Sequence, residues 1–295
     1  MSFADAKQRF SNRVADYIRC RPGYPPAVVE LLRDECRLHA DHAIADVGSG
    51  TGVLTRLFLE NGNQVFGIEP NEEMRLAGDE FLSSYKKFSS VRGSAEATTL
   101  PSASVDVVTV AQAFHWFEPV ATLREFLRIL KPHGWVVVIW NDRRISETGF
   151  GRAYEDLLVR YGTDYTRVKE AYPEEKDMET FFGASVEAGG SRGEKNRSSR
   201  NERDAKNTKD PPLQMQEVSG VRRFELPNFQ EFDFEGLTGR LRSSSYAPKE
   251  GHANYAPMMA VLRELFDGNQ KFGRVRMEYT TQIYFGRMDE LRNSG

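Results

Sequence analysis

The chain has 295 residues, 39% of them hydrophobic and 28% charged, with a formal net charge of -3. That length holds one large domain or two small ones, and the near-neutral charge gives no electrostatic reason to expect a nucleic-acid or membrane-surface partner, which favours a small-molecule substrate. Cys20 and Cys36 stand in no C-x-x-C pattern, so neither a disulfide framework nor a metal site is expected; no run of about 18 apolar residues and no signal-peptide-like start points to a membrane or export, and a cytoplasmic location is expected.

In chain order, Phe10, Val14, Tyr17 and Ile18 fall on one helical face, so residues 1–20 read as a docked helix or lid within an N-terminal segment 1–40. Arg21-Pro22-Gly23-Tyr24-Pro25-Pro26 follows as a rigid turn, and Val28, Val29, Leu31 and Leu32 begin the next helix. Residues 44–71 then form the centre of the chain: an apolar strand, a turn with glycines at 48, 50 and 52, an amphipathic helix bearing Leu54, Leu57 and Phe58, and a second strand ending on Glu69. Glycines at those positions permit positive φ and close approach of a ligand to the backbone. A dinucleotide fingerprint would need glycine at 53, where the chain has Val53, and Asp46 beside the turn repels a pyrophosphate but favours a cation. S-adenosyl-L-methionine, with a sulfonium, an ammonium and no phosphate, fits both departures. Glu69 at the tip of the second strand can accept from both ribose hydroxyls.

DVGSGTG at 46–52 followed by GIEPN at 67–71 resembles motif I and the acidic loop of the class I S-adenosylmethionine-dependent methyltransferases. The resemblance implies an α/β fold: a Rossmann-like, seven-stranded, mostly parallel sheet with helices on both faces. It also implies cofactor binding by Asp46, Gly48, Ser49, Gly50, Gly52, Glu69 and Pro70. RPGYP at 21–25 resembles a segment covering the cofactor in trans-aconitate methyltransferase-like proteins of the type 11 group. By that resemblance Arg21 meets the methionine carboxylate and Tyr24 lines the substrate pocket; simple packing of both is the alternative.

Asn71 caps the next helix, on which Met74 faces back toward the adenine or toward plain core. A strand at 87–92 leads to Ser94, Ala95 and Glu96, which resemble the family's adenine-recognition loop, although an ordinary polar loop reads the same way. The apolar run 105–110 is a central parallel strand, and Ala111 and Gln112 at its carboxyl end border the ligand crevice expected there. AQAFHWF at 111–117 resembles the type 11 pattern and puts His115 and Trp116 in the substrate pocket, with His115 as catalytic candidate. A helix carrying Leu123, Phe126, Leu127 and Leu130 stops at Lys131-Pro132-His133-Gly134, and a strand at 135–140 delivers Asn141 and Arg143 to the same edge as substrate ligands. A helix with Tyr154, Leu157, Leu158 and Tyr161 packs outside the sheet.

Residues 187–215, nearly devoid of apolar side chains, read as a disordered insertion. Beyond them come a strand from Val221, a helix with Leu237 and Leu241, the substrate candidates Arg242 and Tyr246, a helix around 258–266 and a last strand at 275–287. One methyltransferase domain over 1–295 is expected, with the C-terminal strand pair antiparallel at one edge. Its acceptor is a small organic acid, methylated on a carboxylate that needs no base. A hydroxyl, amine or carbon acceptor with His115 as general base at a pKa near working pH is the alternative. From other classes stand a catalytically silent cofactor-binding module and a nicotinamide oxidoreductase.

Overall fold

The structure is a computed structural model and describes residues 20–145, 149–170, 175–183, 216–218 and 221–287. The expected N-terminal helix or lid and the 187–215 insertion lie outside these residues. The described chain runs α1 (Ala27–Cys36), β1 (Ala43–Val47), α2 (Val53–Glu60), β2 (Gln64–Ile68), α3 (Glu72–Phe81), β3 (Phe88–Val91), β4 (Val105–Ala111), α4 (Pro119–Ile129) and β5 (Leu130–Arg143). It continues with α5 (Phe150–Tyr161), α6 (Tyr165–Glu170), α7 (Glu175–Gly183), β6 (Gln216–Val218), β7 (Val221–Phe232), α8 (Phe234–Arg242), α9 (Tyr255–Asn269) and β8 (Val275–Arg287).

These strands form one sheet in the order β3-β2-β1-β4-β5-β8-β7-β6. β1 to β5 are mutually parallel and β8, β7 and β6 antiparallel. The seven expected strands are all present, and the three-residue β6 adds an eighth at the edge. The chain's direction of travel across the sheet reverses between β1 and β4, and open α/β sheets bind ligands at the carboxyl ends beside such a switch.

The central strands read as unbroken apolar runs because both faces are covered. Ala43, Ala45 and Val47 pack with Val108, Val110, Val136 and Val138 beneath α4 and α7. Ile44, Val107, Val137 and Ile139 face the other way, against α1 and α2. Helix starts are fixed locally: the Asn71 side chain accepts from Met74 N and Glu118 accepts from Val120 N and Ala121 N, each cap stabilising by about 1 kcal/mol.

Two outcomes differ from the sequence reading. The helix α4 stops at Ile129, just ahead of Lys131–Gly134 as expected, but that segment is no turn before a strand at 135: it lies inside β5 as an irregularity where pairing with β4 jumps from Val105↔Leu130 to Val107↔Trp135, with His133 at φ 67°. The second concerns length at the far edge. Arg143, the last residue of β5, pairs with Tyr279, whereas Val275 and Met277 pair with β7. A two-stranded wing therefore projects past the carboxyl edge of β5. Tyr279, Met277, Val275 and Phe232 on this wing join α5, α6, α8 and α9 in a separate hydrophobic cluster. No helix among the described residues is long and apolar enough to cross a membrane.

Candidate functional site

The glycine turn after β1 bends toward β2: Gly48 N and Ser49 N both donate to Ile68 O, at 2.8 and 3.1 Å. Gly48, Gly50 and Gly52 all have positive φ (70°, 56° and 83°), as the sequence required. The reason for glycine differs among them. A Cβ on Gly48 would come within 2.5 Å of Ala113 Cβ and one on Gly52 within 2.5 Å of Leu82 Cδ1, so these two serve the close approach of protein to protein. Gly50 alone faces a softer neighbour, Met74 Cε at 3.4 Å, and Met74 is buried against the turn.

Glu69 closes the turn from the β2 side. Its Oε2 accepts from Gly50 N at 2.9 Å and its Oε1 from Asn71 N at 2.8 Å. Each oxygen keeps a further lone pair. Burial pushes the carboxyl up, opposed by those two amides and the Arg75 charge. Pro70 links the two anchored residues in the chain.

Asp46 sits below the turn, 1% exposed, with Oδ2 accepting from Thr55 Oγ1 at 2.6 Å and Oδ1 from Thr109 Oγ1 at 3.1 Å. Burial raises its pKa to about 6 against the pull of both threonines. It lines the cleft together with Arg21, Tyr24, Gly48, Ser49, Gly50, Thr51, Ala111 and Gln112. The sequence reading missed Thr51, whose buried hydroxyl has no hydrogen-bond partner while lining this cleft. Its position inside the glycine run was the available signal. Gln112 takes φ 56°, a strained value for a side-chain-bearing residue, and donates to Asn141 O at 3.0 Å.

The adenine-loop candidates lie at the β3 exit. Ala95 is buried, Ser94 bridges Ala97, and Glu96 accepts from Glu118 N at 2.9 Å. The loop is pinned by Glu125, which accepts from Thr98 N and Thr98 Oγ1. Arg128 beside it, then Thr98, hold the Glu125 carboxyl down to about 2.

Several substrate candidates fall elsewhere than expected. Asn141 is held by the fold: it donates to Gly23 O at 3.1 Å and accepts from Thr281 Oγ1 at 2.6 Å and Asn228 Nδ2 at 3.2 Å. These bonds tie the Arg21–Pro26 segment to β5 and β8. Arg242 points away, exposed, and donates to the Tyr255 hydroxyl. Arg143 is no open-edge grip either; it is ion-paired with buried Glu155 and donates to Tyr165 Oη at 3.0 Å. Arg21, which lines the cleft, donates to Ser243 O at 2.9 Å, and Tyr24 also packs partly on the core beside α1. Tyr246 is buried among the wing helices.

His115 lies on a short 3-10 turn with its ring 4.5 Å from Trp116 and 5.4 Å from Trp140. Burial lowers its pKa to about 4. The expectation of a base titrating near working pH is therefore corrected: the imidazole is neutral at pH 7 and a weak base. No group of three or more metal-ligating side chains occurs among the described residues.

Residues 45–138 match the family described as "Methyltransferase domain". An uncharacterized methyltransferase of Mycobacterium tuberculosis is 34% identical over 170 residues, 58% of this chain and 66% of the relative. One of Schizosaccharomyces pombe is 38% identical over 138 residues, 45% of this chain and 53% of the relative. The chain thus spans just under two thirds, or about half, of the length of these curated relatives. Among solved structures, a candidate type II methyltransferase from Anaeromyxobacter dehalogenans superposes with TM-score 0.55 at 19% identity, covering 91% of this chain and 98% of that one. A methyltransferase candidate from an antibiotic biosynthesis pathway of Anabaena variabilis gives TM-score 0.56 at 17% identity, with the same coverage.

Proposed function

We propose that this chain, which carries a methyltransferase domain at residues 45–138, moves the methyl group of S-adenosyl-L-methionine to a small-molecule acceptor. The observation that carries the reading is the Glu69 carboxylate at the end of β2, fixed by Gly50 N and Asn71 N against the glycine turn with lone pairs left for two hydroxyls. The residues fit this cofactor. Asp46 favours a cation, the Thr51 hydroxyl awaits a partner, and the cleft offers Arg21 for a carboxylate. Met74 against Gly50 and the Ser94–Glu96 loop flank the place for the adenine. A nicotinamide dinucleotide fits worse, since Asp46 lines the turn where a pyrophosphate would lie.

S-adenosylmethionine supplies an electrophilic methyl: its bond to sulfur breaks as the acceptor atom's lone pair bonds to carbon, leaving S-adenosylhomocysteine. What the chain contributes is position and dryness. Holding an acceptor in line with the methyl lowers the barrier by about 7–11 kcal/mol. The Arg21–Pro26 segment, tied to β5 and β7 through Asn141, Asn228 and Gln230, lines the cleft, and Trp116 and Trp140 pack against the His115 ring, tilted and edge-on.

An organic acid suits a site whose only imidazole candidate is neutral and weakly basic, because a carboxylate is already ionised at pH 7. The likeness of RPGYP and AQAFHWF to trans-aconitate methyltransferase-like proteins supports the same class. The test is a screen with labelled methyl donor over small carboxylic acids, phenols and amines. Label in an ester of a carboxylic acid is expected. Transfer confined to phenols or amines would replace the organic-acid assignment, and binding of the cofactor without transfer to any acceptor would make the chain a silent cofactor-binding module.

A further inference from the structure

The amino-terminal end of the sheet, opposite the glycine turn, holds a cavity of about 620 Å³, a volume in the range of small-molecule pockets. Its walls are the end of α1 with the loop behind it, the start of β4, the irregular stretch of β5, and the neighbouring ends of β7 and β8. Asp106 of β4 lines this cavity, and Ala111, five residues further along the same strand, lines the glycine-turn cleft. The two are therefore separated by about 16 Å of strand.

The charge on these walls is lopsided. Both carboxylates are committed: Glu35 pairs with Arg222, and Asp106 Oδ2 accepts from Lys131 Nζ and Ala43 N, both at 2.8 Å. Burial pushes the Cys36 thiol up to about 12, so it adds no negative charge. A helix C-terminus attracts cations through its carbonyls, but at the end of α1 Glu35 O accepts from Arg222 Nη2 at 2.9 Å and Leu32 O accepts from the backbone of Arg37 and Leu38. Arg37, exposed on this wall, thus brings a positive charge that neither cavity carboxylate answers.

Two imidazoles stand beside it. His39 and His42 meet edge to face with ring centroids 5.3 Å apart, and His42 Nδ1 accepts from His39 N at 3.5 Å, which leaves the His42 ring proton on Nε2 as a donor. Across the cavity the guanidinium carbons of Arg222 and Arg287 lie 5.1 and 5.7 Å from the centroid of the Trp135 ring, so that wall is cationic as well.

The backbone is bent to place two of these side chains. Arg37 closes α1 at φ 53° and His133 sits in the β5 irregularity at φ 67°. Side-chain-bearing residues hold left-handed values only where the surroundings enforce them, and irregularities in a strand re-aim side chains beside binding sites. Glycine would take either position without strain; the chain keeps a guanidinium and an imidazole there.

We propose that this cavity is a second ligand site, taking a small phosphate monoester whose dianionic head is bound by Arg37, His39 and His42 and whose carbon body rests on Pro132 and Trp135. The proposal goes beyond methyl transfer and does not rest on it. A phosphate offers three strong acceptor oxygens and close to two negative charges to donors grouped in this way. The cavity also exceeds what a bare ion fills, and its apolar lining at Pro132 and Trp135 suits the remainder of an ester. A nucleic-acid backbone suits it less, since the net charge is -3 and the cationic groups share one hollow instead of a stripe.

The test is calorimetric titration of the full chain with ribose 5-phosphate and uridine monophosphate, beside uridine, ribonate, inorganic phosphate and a short single-stranded RNA. Both esters are expected to bind and uridine is not. Arg37→Gln should weaken ribose 5-phosphate by about tenfold or more, Arg37→Lys should restore part of it, and Arg242→Gln, at the other end of the sheet, should leave it unchanged. Arg37→Gly separates a ligand role from a structural one: relief of the left-handed backbone should raise the melting temperature of the free protein while ester binding is lost. S-adenosylhomocysteine should not compete with the ester.

No binding of either ester, or binding indifferent to Arg37, overturns the proposal, and so does competition by S-adenosylhomocysteine, which would put the ester in the glycine-turn cleft. Equal affinity for inorganic phosphate would remove the carbon body from the assignment, equal affinity for ribonate would remove the phosphate, and tighter binding of RNA than of the esters would replace the small ligand with a polymer; each of these contradicts the site as stated.

Discussion

At the scale of single residues, Asp46 couples the site to pH. Its folded pKa of about 6 is raised above the ordinary 3.8, so the stability it contributes is fully present below about 3.8 and is lost as pH rises through about 6. A shift of that size corresponds to about 3 kcal/mol. Asp46→Asn, which stays neutral, is therefore expected to gain stability relative to wild type as pH rises from about 4 to about 6; denaturant melts across that range check it, and a pH-independent difference would contradict it. The same ionisation creates the negative charge that favours a sulfonium or ammonium, so affinity for S-adenosylmethionine should rise with pH over the window in which the free protein loses stability.

His115 offers a second residue-scale prediction. With its pKa lowered to about 4 by burial, it is neutral throughout the physiological range, and turnover should show no ionisation between pH 6 and 8 attributable to it. His115→Gln should keep most of the wild-type rate on a carboxylic-acid acceptor. A steep loss in kcat, with the pH profile flattened by the substitution, would restore the imidazole to the role of general base.

At the scale of elements, the Arg21–Pro26 segment is a strap across the carboxyl edge, and its anchors are specific. Gly23 O accepts from Asn141 Nδ2 and Asn228 Nδ2, and Gln230 Nε2 reaches Arg21 O. Asn141 is 8% exposed, so Asn141→Ala should cost about 1–3 kcal/mol in stability by leaving the buried Thr281 hydroxyl without its acceptor and Gly23 O held by Asn228 alone. It should also raise KM for the cofactor more than it lowers kcat. Chemical denaturation and steady-state kinetics read the two effects; unchanged KM would show that the strap does not cover the site.

These anchors mark the boundary of what the sequence discloses. The glycine turn, the cap at Asn71 and the β1–α2–β2 unit were legible because their determinants lie within a few residues: positive φ demands glycine, and apolar runs demand two covered faces. The fate of Asn141, Arg143 and Arg242 was not. Asn141 is decided by Gly23 and Thr281, 118 and 140 residues away, and Arg21 by Ser243 at a separation of 222. Such pairings are set by the order of strands and the length of the β7–β8 wing, which hydrophobic periodicity does not encode.

At the scale of the whole molecule, the sheet divides the labour. Its parallel half, β1 to β5, carries the glycine-turn cleft, and the antiparallel β7–β8 wing packs with α5, α8 and α9; in our proposal the first holds the cofactor and the second faces the acceptor. Residues 189–211 contain little apolar surface to bury. A chain lacking them should keep its melting temperature and turnover nearly unchanged, since closing a shorter loop alters entropy only logarithmically; a large fall in either would show that the segment contributes to the fold or the site.

The most direct test of the cofactor assignment is a calorimetric titration of the full chain with S-adenosylhomocysteine, wild type beside Glu69→Ala. The account predicts one site per chain in wild type and an affinity weakened by about 1.5–3 kcal/mol in the variant, as charge-assisted bonds to the ribose hydroxyls disappear. No binding by wild type, or equal affinity in the two proteins, would contradict it.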